Sequence, residues 1–358
     1  MLGRDPRAGI PTRMESIDMR AMRLERYNEP LVLREFPPPR PGPGEVLVKV
    51  VACGVCRTDV KILRGEIPPP IVSLPHTPGH EPAGEVVAVG SGVQGVNAGA
   101  RVVVYFYINC GHCEMCRKGR GNICFDIKRL GFELPGAYAD YLLVPADHVV
   151  PIGELDYQLA AVLPDAVAVP YHAIRRQARV EPGQDVLIVG VGGLGVHAIQ
   201  IAKLEGARVI AADVDEERLD LARRLGADEV VNAGVGDPGG QVKRLTDGVG
   251  ADAVIEIVGT PETLAWTLPA TKRGGRLIIV GYAPGRPWPL DTMAMHYNEW
   301  EVIGSRVSTK AELAEVVSLV QAGKLKPVIT RAFSLEEANE ALAEVAAGRI
   351  TGRCVLVM

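Results

Sequence analysis

Two domains of different architecture are predicted, one mostly β and one a doubly wound parallel α/β sheet. Three features of the sequence carry this. Up to about residue 151, short alternating strands are broken by Gly and Pro; from about residue 163, strands alternate with helical periods; and over 185–202 a short aliphatic run opens through a glycine turn into a helix. The 358 residues are enough for two domains with a large buried core. Hydrophobic content of 47% and charged content of 23% are ordinary for a soluble globular chain.

In the first half the clearest strands are 44–51, 85–89, 101–105 and 138–144, with the Pro-rich stretches 37–44 and 68–70 as loops; no tandem repeat is seen. A helix over 166–176 crosses into the second half. There the strand candidates are 186–189, 208–212, 229–231, 253–257, 276–280 and 300–303, with helices including 215–225 and 261–270 between them. Helices at 310–322 and 335–346 and a strand at 353–357 stand outside that sheet and are expected to return to the first domain. The expected division is an N-terminal extension over 1–20, a first domain over 21–166 and 306–358, and a second domain over 167–305.

The stretch over 185–202 organises the second half. Gly190, Gly192 and Gly195 form G-x-G-x-x-G, with Gly193 and Leu194 between them. One glycine makes the tight turn, one lets the backbone approach a pyrophosphate, and one lets the helix pack on the strand. An anion at the helix start would meet free N–H groups and the positive end of the dipole. The next strand ends in Asp213, near the distance at which a carboxylate holds an adenosine ribose. The plainer alternative is a structural glycine turn beside a solvated Asp. Asp213, with Asp215, Glu216 and Glu217, would repel a 2′-phosphate and so favours NAD over NADP; Arg218 is the one residue that opposes this.

Of the seven cysteines, Cys110, Cys113, Cys116 and Cys124 give CxxCxxCx7C, which reads as metal binding in a reducing cytoplasm. Four thiolates fill a tetrahedral zinc site and leave no open position, so the site is expected to be structural; an iron–sulfur cluster is the alternative. His112 lies among them as a bystander. Cys56 and His80, each taken alone, read equally well as a buried Cys and a satisfied core His. A net charge of -4 without a long basic run gives no reason to expect nucleic acid. No apolar run reaches membrane-spanning length, and residues 1–20 lack the apolar centre of a secretory signal, which leaves a flexible extension or an oligomer arm. Arg outnumbers Lys by 29 to 10, compatible with a thermophilic source or with a GC-rich genome.

Four segments together resemble the zinc-dependent alcohol dehydrogenases of the medium-chain dehydrogenase/reductase superfamily. They are GVCRTD at 54–59, GHEPAGEVVAVG at 79–90, the four-cysteine lobe and GVGGLG at 190–195, and the likeness covers nearly all of the chain after residue 20. The resemblance implies a GroES-like β fold for the first domain, a Rossmann fold for the second, and an active site in the cleft between them. It implies that Cys56 and His80 are catalytic zinc ligands, with Glu81 behind the metal as a transient ligand. Thr58 takes the alcohol proton on this reading, and Asp59 orients His80. Arg57 and Arg353 match pyrophosphate-binding arginines, and Asp213 and Arg218 stand at the adenosine ribose. Stretches 130–132 and 288–297, with the crossing helix, are candidates for the pocket wall.

Two positions depart from the family pattern. Where the third ligand is usually Cys, the chain has Leu163-Pro164-Asp165; Asp165 is read as that ligand, with an N-cap before Ala166 as the alternative. Where a relay His often stands, the chain has Lys61. The resemblance implies reversible hydride transfer between a primary or secondary alcohol and NAD, giving an aldehyde or ketone. It also implies two zinc ions per chain, a cytoplasmic homodimer or homotetramer, and no nucleic-acid or membrane partner. A polyol or sugar dehydrogenase is the rival within the superfamily, and a non-catalytic zinc-ribbon binding protein the rival outside it.

Overall fold

A computed structural model describes residues 18–358. The expected extension lies outside the described residues up to 17; Met19 and Arg20 already belong to the strand Met19–Arg23, antiparallel to Val32–Phe36. The described chain falls into two compact units. One runs to Pro164 and takes in Arg331–Arg349 and Cys354–Met358; the other comprises Asp165–Thr330 and Ile350–Arg353. Among the described residues no helix is long and apolar enough to cross a membrane.

The first unit is built on the strand Glu45–Val55, whose Val46, Val48, Val50 and Ala52 are buried. One edge pairs along its length with Glu81–Val89, and the other is shared, Tyr141–Pro145 taking its first half and the C-terminal Cys354–Val357 its second. The strand expected from residue 138 starts only at Tyr141. The backbone just before it is engaged elsewhere: the Tyr138 N–H donates to Pro78 O, and Tyr138 O accepts from Met22 N.

The second unit is a six-stranded sheet in the order Glu229–Asn232, Arg208–Asp213, Asp185–Val189, Ala251–Glu256, Thr271–Ile279, Glu301–Gly304, every pair parallel. Its central strand Asp185–Val189 is buried from Val186 onward, as a strand covered on both faces requires. Strand ends pass into helices through side-chain caps: Asp215 accepts from Glu217 N and Arg218 N, and Thr260 and Thr309 form capping boxes.

Two expectations are corrected here. The crossing helix is not a regular α-helix over 166–176. It runs as π turns Leu163–Val167 and Ala173–Ala178 around a short α segment Ala168–His172, because Pro164 and Pro170 bring no N–H to an i→i−4 ladder. Residues 306–330, expected in the first domain, pack with the second. The helix Lys310–Gln321 buries Leu313, Val316, Val317 and Val320 and lies against Ala168–His172. One buried carboxylate fastens the two: Glu312 Oε1 and Oε2 lie 3.0 and 2.9 Å from His172 Nδ1, Arg176 Nε donates to Oε1, and Oε2 accepts from Thr309 N at 2.7 Å. Glu312→Ala leaves the buried His172 nitrogen unpaired and removes the capping box, and should cost about 3 kcal/mol in urea unfolding, with Glu312→Gln costing clearly less.

Candidate active site

In the first unit, Cys56 ends the central strand and caps the helix Arg57–Leu63. Its Sγ accepts from Thr58 N at 3.4 Å, and Asp59 Oδ2 accepts from Cys56 N at 3.0 Å. A thiolate there faces the positive end of the first helical turn. His80 and Glu81 enter from the start of the neighbouring strand, which pairs Gly54 with Glu81. A Cβ on Gly54 would lie 2.4 Å from Glu81 Oε2, so the glycine is what lets the carboxylate sit against the strand. The ligand atoms of Cys56, His80 and Glu81 lie within 4.8 Å of one another, and all three residues are buried.

His80 is oriented by its neighbours. Nδ1 meets Asp59 Oδ1 at 3.2 Å, which turns Nε2 toward Glu81 Oε1 at 4.0 Å, and the rings of Phe106 and Phe132 stand 5.1 and 5.3 Å away. Asp59 is the hub: it also accepts the Tyr138 hydroxyl hydrogen at 2.9 Å. Burial opposes its charge, but His80, the Cys56 N–H and Tyr138 outweigh burial and hold its carboxyl below the ordinary range. Burial likewise disfavours an imidazolium at His80, yet Asp59 and Cys56 raise its pKa well above the usual value. The surroundings of His80 therefore favour positive charge, and the soft thiol, imidazole and carboxylate donors fit a zinc ion.

Thr58 and Lys61 lie three apart on the same short helix and so share a face. Partial burial holds the Lys61 ammonium below the ordinary lysine value, against the pull of Cys56 and Glu66 and with the help of Arg57. Arg57 is exposed, its Nη1 donating to Val345 O at 3.4 Å.

The cysteine lobe is gathered as its spacing implies. Sγ of Cys113 is 3.5 Å from that of Cys116 and 3.8 Å from that of Cys124, and Cys110 Sγ is 3.9 Å from Cys116 Sγ. Backbone N–H groups of Cys116 and Phe125 pull the Cys113 thiol down to about 6, whereas burial and the adjacent thiols push Cys116 up to about 12. Four sulfurs this close cannot all ionise without a cation among them, which fits a tetrahedral metal. His112 is exposed, its Nδ1 2.8 Å from Cys110 O.

In the second unit two of the three glycines have a visible structural reason. Gly190 has φ +93°, and a Cβ on Gly195 would lie 1.9 Å from Gly190 O. A Cβ on Gly192 would meet nothing within 4 Å among the described residues, so the backbone there is open to its surroundings. Leu194 leads into the helix Gly195–Leu204 without a side-chain cap. At Gly193 a Cβ would lie 3.0 Å from Arg353 Cδ. Asp213 is buried and fastened by backbone: Oδ2 accepts from Val191 N at 2.7 Å, and Oδ1 from Val214 N at 2.8 Å. Arg218 Nη1 stands 3.8 Å from Asp213 Oδ2 and its Nε 4.0 Å from Asp215 Oδ2, so its charge faces these acids.

Asp165 lies within the first π turn, and the cap position of the following α segment is Val167, so the N-cap alternative does not hold. Its carboxylate pairs with Arg353. Two functional neighbours escaped the sequence reading, Tyr138 and His197. His197 Nδ1 donates to Gly193 O at 2.8 Å and Nε2 accepts from Val328 N at 2.9 Å, so a neutral imidazole braces the glycine turn. Its position four residues after Gly193 was the available signal.

A parallel sheet with this glycine turn and strand-end acid, in a chain that also gathers Cys56, His80 and Glu81 and a four-sulfur lobe, defines a zinc-binding nucleotide-dependent dehydrogenase. The chain belongs to the zinc-dependent alcohol dehydrogenases of the medium-chain dehydrogenase/reductase superfamily. Residues 42–154 match the alcohol dehydrogenase GroES-like domain and residues 193–322 the zinc-binding dehydrogenase family. An NAD-dependent alcohol dehydrogenase of Sulfurisphaera tokodaii is 38% identical over 348 residues, 95% of this chain and 100% of that one. The alcohol dehydrogenase of the hyperthermophilic archaeon Aeropyrum pernix superposes with a TM-score of 0.89 at 36% identity, covering 95% of this chain and 100% of its own. The D-arabinose dehydrogenase of Sulfolobus solfataricus does so with 0.83 at 30%, covering 96% and 100%.

Burial lowers the His197 pKa from 6.5 to about 4, with Arg353 adding to the effect and Gly193 O opposing it. The folded chain thus refuses a proton that the unfolded chain accepts. Stability is complete above pH 6.5 and falls as the pH drops toward about 4, by roughly 3 kcal/mol for this group. Urea unfolding of His197→Asn across this window should show a shallower acid slope than the parent; an equal slope would remove His197 as the cause.

Proposed function

We propose that this chain is an NAD-dependent alcohol dehydrogenase acting reversibly on primary or secondary alcohols, with two zinc ions per chain. The observation that carries the reading is the buried group of Cys56, His80 and Glu81, with Asp59 orienting His80. Zinc, when bound, supplies a Lewis acid that lowers the pKa of an alcohol, and the nicotinamide takes up the hydride. Cys56, His80 and Asp165 are the proposed ligands, with Glu81 as a transient fourth. A thiolate, a neutral imidazole and a carboxylate balance the charge of Zn²⁺ as two thiolates and an imidazole would, but with a harder donor set. Asp59 keeps Nδ1 of His80 occupied and so commits Nε2 to the metal. Thr58 receives the alcohol proton, which then leaves through the cofactor ribose, water or Lys61, the last one helical turn on along the same short helix.

The second unit holds the dinucleotide, with Gly190, Gly192, Gly193, Leu194 and Gly195 around the pyrophosphate and Asp213 on the ribose hydroxyls. Arg353 serves the pyrophosphate from beside Gly193, and Arg57 is the second arginine of this set. The four-cysteine lobe holds the structural zinc. A homodimer or homotetramer is the proposed assembly, as the family resemblance implies.

A sugar or polyol is the second reading, favoured by the acidic residue at the third ligand position and by the likeness to D-arabinose dehydrogenase. A panel of simple alcohols, ketones, sorbitol and arabinose with NAD and NADP separates the two, run beside a zinc count per chain. Oxidation of simple alcohols with NAD and two zincs is expected, and Asp165→Ala should lose one zinc together with kcat. An active Asp165→Ala enzyme with both zincs would reject the ligand assignment.

Cofactor choice has its own test. Asp213→Ser removes the negative charge and the ribose acceptor, weakening NAD by roughly 1–3 kcal/mol and relaxing discrimination against NADP. Unchanged discrimination would move the determinant away from Asp213.

A further inference from the structure

One cation lies between two features that the proposed function assigns to different ligands. Asp165 and Arg353, 188 residues apart in sequence, form a buried ion pair within the second unit, with Arg353 5% and Asp165 9% exposed. The same side chain runs along the glycine turn, its Cδ and Nε each 3.0 Å from where a Cβ of Gly193 would stand. The residue is held in place by its own backbone, Arg353 N donating to Val328 O at 2.9 Å. The turn it reaches is held as well, Gly193 O being bonded to His197.

Guanidinium is a fork of N–H donors suited to carboxylates and to phosphates alike. A carboxylate that gives its lone pairs to Arg353 is a poorer donor to a metal ion. A pyrophosphate at Gly192 and Gly193 calls on the same fork, and as the more highly charged partner it competes with the carboxylate. This competition depends on the carboxylate: a cysteine at position 165 would offer a softer, weaker acceptor to the guanidinium.

We propose that Arg353 couples dinucleotide binding to the metal ligand Asp165, so that a pyrophosphate at the glycine turn draws Arg353 from the carboxylate and tightens the zinc. The coupling is reciprocal: zinc on Asp165 leaves Arg353 for the pyrophosphate and strengthens dinucleotide binding by the same factor. Arg353 is in this sense a positioning residue for the metal. The proposal rests on the reading of Asp165 as the third ligand.

The test measures zinc affinity of the full chain by chelator competition, with and without ADP-ribose, which carries the pyrophosphate but no reactive nicotinamide. Adenosine, which lacks phosphate, is the control. The relevant zinc is the one missing from Cys56→Ser. ADP-ribose is expected to tighten it about five-fold or more, the lower end of usual allosteric couplings. Adenosine should leave it unchanged, and calorimetry should show ADP-ribose binding strengthened by the same factor when zinc is loaded. In Arg353→Gln both ligands should bind with affinities independent of each other. Equal zinc affinity with and without ADP-ribose in the parent chain, a measurement that needs no variant to fold, would overturn the proposal. So would undiminished coupling in Arg353→Gln. If that zinc is held equally well by Asp165→Ala, the ligand assignment fails and the coupling with it. If the zinc needs Asp165 and ADP-ribose binds without affecting it, the coupling alone fails.

Discussion

Negative charge buried without water has to be answered by a partner, and this constraint governs both halves of the molecule. In the first unit Asp59 is almost wholly enclosed, and three different groups answer it: the His80 ring, the Cys56 N–H and the Tyr138 hydroxyl. Those three bonds fix the imidazole, the start of the helix that carries Thr58 and Lys61, and the loop before Tyr141. Positions of groups far apart in sequence are thereby set by one carboxylate. In the second unit Glu312 does similar work, tying His172, Arg176 and its own helix start together.

The parallel sheet was legible because each of its signals is local. An aliphatic run, a glycine turn and a helical period follow one another within a few residues, and the acid at Asp213 ends the next strand. The cysteine lobe was legible for the same reason, with its ligands confined to one loop. The course of the chain after residue 306 was not. The helix Lys310–Gln321 has an apolar stripe that fits either domain, and its place is decided by the pairing of Glu312 with His172, 140 positions away. Tyr138 escaped for a related reason, since its hydroxyl is useful only because the fold brings it to Asp59 from 79 positions away.

The widened crossing helix shows how local chemistry and tertiary demand combine. The apolar pattern over 160–170 fits a regular helix, and the prolines alone mark a departure. Their missing N–H groups leave a ladder that closes through wider turns, and Asp165 is carried on one of these. Aspartate in that turn is buried, which is why its ion pair with Arg353 carries weight that a surface pair would lack.

The fastening of Asp213 bears on how such a protein changes over evolutionary time. The carboxylate that would discriminate between cofactors is also a structural clasp, holding Val191 N of the glycine turn through one oxygen and the start of the next loop through the other. A lineage that drifts toward a phosphorylated cofactor has to give up the charge and the clasp in the same substitution. His197, whose Nδ1 donates to Gly193 O, is a second clasp on the same turn and is placed to keep it closed when the first is lost. The proposed selector of the cofactor is thus also one of the residues that build the turn, so a substitution at Asp213 acts on the loop as well as on the ligand.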